Sequence, residues 1–170
     1  MVTTLTKGEI IELLEGVPDP ELPAVSVVDL AMIRDIYIDQ HLVSVSITPT
    51  YSGCPATETI IKEVEAVIRN AVGPDVDVTV KMVLFPPWTT SWLSASACAK
   101  LARFGIAPPV KHESKLELPY HRRARDGSAI RCPRCSSTST TELSRFGSTS
   151  CKALYRCNIC IETFEHMKDF

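Results

Sequence analysis

Two C-x-x-C pairs, Cys132-Pro133-Arg134-Cys135 and Cys157-Asn158-Ile159-Cys160, stand 21 residues apart near the end of the chain. A C-x-x-C turn lets two thiolates meet one cation, and two such turns on facing hairpins complete a tetrahedron. The forty residues from Arg131 to Phe170 are too few to bury an adequate apolar core, so a bound metal would supply folding energy. Zn²⁺ at Cys132, Cys135, Cys157 and Cys160 is the expected ion, and an iron–sulfur cluster is the alternative, since four thiolates suit both. A further thiol, Cys54, stands in the stretch Thr48-Pro49-Thr50-Tyr51-Ser52-Gly53-Cys54-Pro55. Pro55 suits the first position of a helix, which would place Cys54 at or beside the N-cap. There, unpaired N–H groups and the positive end of the helix dipole are expected to lower its pKa and favour the thiolate, which binds metal or attacks electrophiles. The competing expectation is a small residue that fills a turn.

The elements that must position these thiols can be read from periodicity. Thr6-Lys7-Gly8-Glu9 has the form of a capping box, so a helix is expected over about residues 7–15, closed by Gly16 and stopped by Pro18. Asp19 and Glu21 then stand on a proline-rich loop, and Ser26–Leu30 reads as a short turn. Ile33–Asp39 and Leu42–Thr48 read as strands joined by a hairpin turn at Gln40-His41. Ile60, Ile61, Val64, Val67, Ile68 and Ala71 recur at helical spacing over residues 55–71, and Val76, Val78 and Val80 alternate in a third strand running to about Leu84. After an aromatic, proline-rich loop with Trp88 and Trp92, a helix over about 94–104 would put Leu93, Ala97, Leu101 and Phe104 on one face. Together these predict an α+β fold: helices packed on a mixed three-stranded sheet over residues 1–109, a basic linker over 110–130, and a four-cysteine ribbon over 131–170.

The remaining chemistry-bearing side chains have plainer expectations. Cys98 lies in an apolar helix and is expected in the core. Cys151, if on one strand with Cys157, lies about 20 Å from it and is expected to be a packed thiol outside the metal site. His166 is expected at the surface. Trp88 and Trp92 suit either a hydrophobic core or an exposed anchor for another protein.

Composition bounds the function classes. No run of eighteen apolar residues exists, and the N-terminal residues lack the pattern of a signal peptide, so a membrane span and export are not expected. Seven cysteines without an export signal point to thiols and metal in the cytoplasm rather than to disulfides. Charge is unevenly split: residues 1–99 hold five Lys/Arg against thirteen Asp/Glu, and residues 100–170 hold thirteen against seven. Two modules with different partners are therefore expected. A pI near 6.1 argues against nucleic acid as the principal ligand. A thiol enzyme with Cys54 as nucleophile lacks a recognisable histidine partner.

Asp19-Pro20-Glu21, Ser26–Leu30, Thr48-Pro49-Thr50 with Gly53-Cys54-Pro55, Pro86-Pro87-Trp88-Thr89 and Phe104–Pro109 occur in that order. Together they resemble the metal-sulfur cluster biosynthesis family that includes SufT-like proteins. The cysteine-rich tail, with Phe146-Gly147-Ser148-Thr149, is similar to one branch, the PaaD-like proteins of bacterial phenylacetyl-CoA epoxidase (monooxygenase) systems. The resemblance covers nearly the whole chain. It implies a non-catalytic accessory role in aerobic phenylacetate degradation, as an iron–sulfur cluster assembly or maturation factor. Cys54 would be the transient cluster ligand, with oxygenase and reductase components and iron–sulfur assembly proteins as partners. One thiolate cannot hold a cluster alone, so a homodimer bridging through Cys54 of both subunits is one implied arrangement. A structural adaptor that docks through the ribbon and the tryptophan loop is the alternative. Ala31 departs from the family pattern, which has Gly after Asp-Leu, and this departure is expected to matter little.

Overall fold

The computed structural model describes residues 5–110 and 130–170; the predicted basic linker falls mostly on 111–129, outside the described residues. The chain divides into two compact units, one reaching to Lys100 together with Phe170, the other from Leu101 to Asp169.

In the first unit the expected capping box forms at the start of α1 (Lys7–Glu15): the Glu9 N–H donates to Thr6 Oγ1, and the Thr6 N–H donates to the Glu9 carboxylate at 2.7 Å. Each bond satisfies a donor that the helix itself cannot. Ile10 and Leu14 are its buried residues. The proline-rich segment that follows is not a detached loop. Val17, Leu22, Val25, Val27, Leu30 and Met32 are all buried, and Asp19 pins the turn by accepting from the N–H groups of Glu21 and Leu22, both at 2.8 Å.

β1 (Ile33–Asp39) and β2 (Leu42–Ile47) form the antiparallel hairpin expected around Gln40-His41. β2 then pairs in parallel with β3 (Asp77–Met82), giving the order β1-β2-β3. The parallel pair requires a crossover, supplied by α2 (Thr57–Val72), whose Ile60, Val64 and Ile68 are buried at helical spacing. Val43, Val45 and Ile47 of β2 are buried at alternate positions, as the two-residue period of a strand demands. β3 ends at Met82, two residues before the expected limit, where the chain turns toward the prolines at 86 and 87. Trp88 is buried and donates its indole N–H to the Leu30 carbonyl at 2.7 Å, so it belongs to the core. Trp92 is half-buried, with the Arg34 guanidinium 3.9 Å from its ring centre.

α3 (Ala95–Arg103) carries the chain onward. Leu93, Ala97 and Leu101 are buried as expected, whereas Phe104 is exposed because the helix has ended before it. The second unit is a sheet in the order β4-β7-β6-β5, with β5 (Thr140–Ser144), β6 (Lys152–Cys157) and β7 (Thr163–Met167) antiparallel. Its outer strand β4 (Ile106–Ala107) runs parallel to β7, with Ile106 opposite Glu165 and Ala107 opposite His166. The motif order assigns 106–109 to the first module; in the folded chain Ile106 and Ala107 are strand residues of the ribbon sheet.

A partly buried ion pair holds the β6–β7 face. Lys152 is 4% exposed, and its Nζ lies 3.0 Å from Glu165 Oε2. Glu165 also accepts from the Ser148 N–H and from Ser148 Oγ. A Cβ on Gly147 would lie 2.5 Å from Glu165 Oε1 and 3.2 Å from Lys152 Cβ, so a side chain there would collide with the pinned carboxylate. These bonds outweigh burial and hold the Glu165 carboxyl below its ordinary pKa.

Candidate metal centre and thiol turn

The C-x-x-C spacing does what it predicts. The sulfurs of Cys132, Cys135, Cys157 and Cys160 all lie within 4.8 Å of one another. Cys132 and Cys160 approach to 3.7 Å across the two turns, and Cys135 and Cys157 to 3.5 Å. Four thiolates at about 2.3 Å from a central ion would stand about 3.8 Å apart in a tetrahedron. The set therefore has the size that a single tetrahedral ion needs.

Both turns fold back alike: the Cys132 N–H donates to the Ser137 carbonyl and the Cys157 N–H to the Glu162 carbonyl, each at 2.9 Å. The Ser136 N–H closes the first by donating to the Cys132 carbonyl at 2.8 Å, and the N–H groups of Ile159 and Cys160 aim at Cys157 Sγ at 3.4 and 3.5 Å. In the metal-free chain this donation sets the proton inventory. The Cys160 N–H, helped by the Ile159 N–H, overcomes burial and brings the Cys157 thiol down to about 6. At Cys160 the Glu162 N–H favours the thiolate, but burial and the crowding of Cys135, Cys157 and Cys132 prevail, and its pKa rises to about 12. Cys157 is thus the readier thiolate of the second turn, and Cys160 a thiol that a cation must deprotonate. Two of the ligands, Cys132 and Cys157, form a core with Ala107 and Phe164, against which Ile130, Tyr155 and Cys160 pack.

Cys151 lies outside the tetrad. It is buried, its Sγ is 3.0 Å from Thr149 Oγ1, and its carbonyl accepts from the Lys168 N–H, as suits a packed thiol. His166 corrects the surface expectation. It is 5% exposed, its Nδ1 stands 3.2 Å from the Ala107 carbonyl, and its ring meets Tyr155 edge-on at 5.6 Å. Burial lowers its pKa against the Ala107 bond that would raise it. The alternation Thr163-Phe164-Glu165-His166 in a strand was the available signal, because it puts His166 on the face of buried Phe164.

Cys54 departs from its expected setting. α2 begins at Thr57 with Ala56 as its uncapped N-cap residue, so Cys54 sits two residues before the cap. It lies in a turn closed by its own N–H donating to the Tyr51 carbonyl at 3.2 Å and by Thr57 Oγ1 donating to the Cys54 carbonyl at 2.8 Å. The thiol is half-buried, and its pKa is raised rather than lowered. Burial is the main cause; the Ala56 N–H and the Thr57 hydroxyl oppose it, while the negative charges of Glu21 and Asp19 add to it. The helix N-terminus is outweighed because burial and two carboxylates from a distant loop both act against a bare thiolate. Asp29, the third carboxylate of this segment, is engaged elsewhere: it accepts from Lys100 Nζ at 2.6 and 2.8 Å and from the Ser26 N–H at 3.0 Å. Those bonds outweigh its burial and lower its pKa. Cys98 is half-buried, less enclosed than expected.

Two features escaped sequence reasoning. Thr48, just before the turn, is 1% exposed, and its Oγ1 has no hydrogen-bond partner among the described residues. Ile159 and Ile161, beside and after the last ligand, are 68% and 64% exposed. Among the described residues, no helix is long and apolar enough to cross a membrane.

Comparisons with known proteins match the two parts of the chain to two different families. Residues 7–82 match the family described as iron-sulfur cluster assembly protein. Residues 118–168 match the PaaD zinc beta ribbon domain. Over 161 residues the chain is 44% identical to a putative 1,2-phenylacetyl-CoA epoxidase subunit of Escherichia coli, covering 94% of this chain and 91% of that protein. It is 37% identical to the Fe-S protein maturation auxiliary factor YitW of Bacillus subtilis, over 54% of this chain and 88% of that one. A crystal structure of a domain of unknown function from Bacillus anthracis superposes with a TM-score of 0.51 at 32% identity, covering 56% of this chain and 90% of the other.

Proposed function

The chain belongs to the family that joins an iron–sulfur cluster assembly domain to a PaaD-type zinc beta ribbon, and on that premise we propose that it matures the iron–sulfur centre of a phenylacetyl-CoA epoxidase in the cytoplasm. The observation that carries the reading is the setting of Cys54: a half-buried thiol between the Asp19/Glu21 loop and the start of α2, its proton retained by burial and by those two carboxylates.

A thiol held protonated is a poor nucleophile at neutral pH. A cation reverses the balance, because it displaces the proton and is attracted by the same carboxylates that disfavour a bare thiolate. Cys54 is then a ligand only while iron is present, as a transfer factor requires. The cluster is cargo. Its other ligands come from a second copy of the chain, a small thiol or the client's own cysteines. The ribbon is read as a Zn²⁺ module: Cys132, Cys135, Cys157 and Cys160 fit one tetrahedral ion, with no open position for chemistry. Zn²⁺ supplies folding energy there, and the chain's own N–H groups at Ile159 and Cys160 orient and charge the ligand sulfur of Cys157.

The test is a rescue. Cys54→Ala, introduced into a strain lacking the native gene, is expected to yield a folded protein that fails to restore cluster content and activity of the epoxidase reductase. Full rescue would favour the adaptor reading, in which docking suffices. That alternative now leans on the ribbon, because Trp88 is buried and unavailable to a partner.

A further inference from the structure

We propose that the Ile159–Ile161 tip of the second cysteine turn is a protein-docking surface, which seats in an apolar cleft with an acidic rim on the client. The inference rests on the maturation reading for the identity of that client, and it adds a contact surface separate from Cys54.

The first ground is backbone conformation. Each C-x-x-C turn ends on a residue in the left-handed region: Ser136 at φ +61° and Ile161 at φ +61°. The conformation turns the chain back onto the ligand pair, so that the Cys132 N–H donates to the Ser137 carbonyl and the Cys157 N–H to the Glu162 carbonyl, each at 2.9 Å. Gly or Asn adopts this conformation at low cost, whereas a β-branched residue there is a true outlier. A small serine fills the first turn. An isoleucine fills the second.

The second ground is that, among the described residues of the unit, no core contact repays this strain. Ile161 is 64% exposed, Ile159 is 68% exposed, and neither belongs to the core around Phe164. Two large apolar side chains are therefore presented to solvent on either side of Cys160, which the ion would hold rigidly. A rigid apolar tip loses little conformational freedom on binding, the condition under which a small contact yields useful affinity. An exposed, preorganised pair of this kind fits an aliphatic anchor in a partner's pocket.

The third ground is the charge around the tip. Arg134 reaches across from the first turn to pair with Glu162, and Arg131, exposed, donates to the Ser136 carbonyl at 3.4 Å. Among the described residues the flank therefore carries the guanidinium groups of Arg131 and Arg134 against the Glu162 carboxylate, which complements an acidic rim. Two isoleucines at the centre are what a protein cleft would read and a phosphate backbone would not.

The experiment uses the full zinc-loaded chain, immobilised, with the remaining subunits of the cognate epoxidase, purified as a complex, as the probe. Ile161→Gly and Ile159→Ser are each expected to weaken binding by about 10-fold or more, the effect of withdrawing a large aliphatic side chain from a pocket. Ile161→Gly should keep the Co²⁺-thiolate absorption of the wild type and melt no lower, which separates lost docking from lost folding. Arg131→Glu should cost a few-fold at low salt and little at high salt. Binding of both isoleucine variants within twofold of wild type overturns the proposal and leaves the maturation reading intact. Failure of the wild type to bind the complex overturns both. Loss of self-association alone, or of binding to vesicles of phosphatidylglycerol and phosphatidylcholine alone, overturns it in favour of a second copy or a membrane surface.

Discussion

Removing the metal from the ribbon is expected to unfold that sheet. Of the residues clustered around Phe164, Cys132, Cys157 and Cys160 are the metal-site thiols, leaving Ala107, Ile130, Tyr155 and Phe164, with Ile106, Ala153 and Met167 buried elsewhere in the sheet. Structural zinc sites of this type contribute about 10–16 kcal/mol near neutral pH. Whole domains are typically stable by only about 5–15 kcal/mol. Loss of the ion therefore exceeds what the remaining packing can supply, and the metal-free thiols also crowd one another. Affinity should fall as pH falls. Cys157 is poised at about 6 and Cys160 at about 12 in the metal-free chain, so lowering the pH adds protons that the ion must displace. Hydrogen exchange on the reduced protein, with and without a strong chelator, reads the result. Amides of β6 and β7, and of β4 paired to β7, should lose protection when the metal leaves, with the β1–β2 hairpin as internal reference. Protection of β6 and β7 persisting after four thiols have become titratable would refute the reasoning.

Three further outcomes are expected. Ala31 sits at φ +50°, a conformation that costs an L-residue about 1–2 kcal/mol. After allowing for glycine's extra freedom in the unfolded chain, Ala31→Gly should stabilise the first unit by about 0.5–1 kcal/mol, seen as a higher urea midpoint by tryptophan fluorescence; an unchanged or lower midpoint counts against it. Lys152→Met strands the Glu165 carboxylate in a mostly buried site and should cost about 3–5 kcal/mol. Adding Glu165→Gln should recover much of the loss in thermal melts, and a double variant no better than the single would sink the account. For His166, burial holds the folded pKa below the ordinary value, so the unfolded chain binds the proton first. Stability should fall as pH drops below about 6.5, by up to about 1.4 kcal/mol per pH unit until the folded pKa is reached. The wild-type minus His166→Gln difference in melting temperature isolates this effect from metal loss, and a pH-independent difference would contradict it.

What the sequence revealed and what it hid divide along a physical line. The α1 capping box, the turn at Gln40-His41, the buried stripe of α2 and the cysteine tetrad all depend on neighbours a few residues away or on fixed ligand spacing. Features created by distant segments were not legible. β4 is only Ile106 and Ala107, too short for periodicity, and exists because β7 lies beside it. The buried Lys152 reads as an ordinary surface lysine until the fold brings Glu165 of the neighbouring strand to 3.0 Å from it. Ala31 was expected to matter little, and its left-handed backbone explains why glycine would suit the position better.

The thiol turn is where this distinction bears on function. From sequence, Pro55 and the following helix argued for an activated thiolate; in the folded chain, burial with Glu21 and Asp19 argues for a retained proton. On the proposed reading this is an advantage rather than a defect. A permanently ionised Cys54 would bind iron in competition with any client and would react with stray electrophiles. A thiol that ionises only against an arriving cation holds its cargo conditionally, and returning the proton favours release. The contrast lies within the same chain: the ribbon gathers four sulfurs within 4.8 Å, which suits permanent possession, whereas the turn offers a single half-buried sulfur with carboxylates nearby. Asp19→Asn and Glu21→Gln should therefore make Cys54 more reactive toward iodoacetamide at neutral pH while weakening its capture of iron. Those two effects run in opposite directions, so a nucleophile and a transient ligand can be told apart by measuring both.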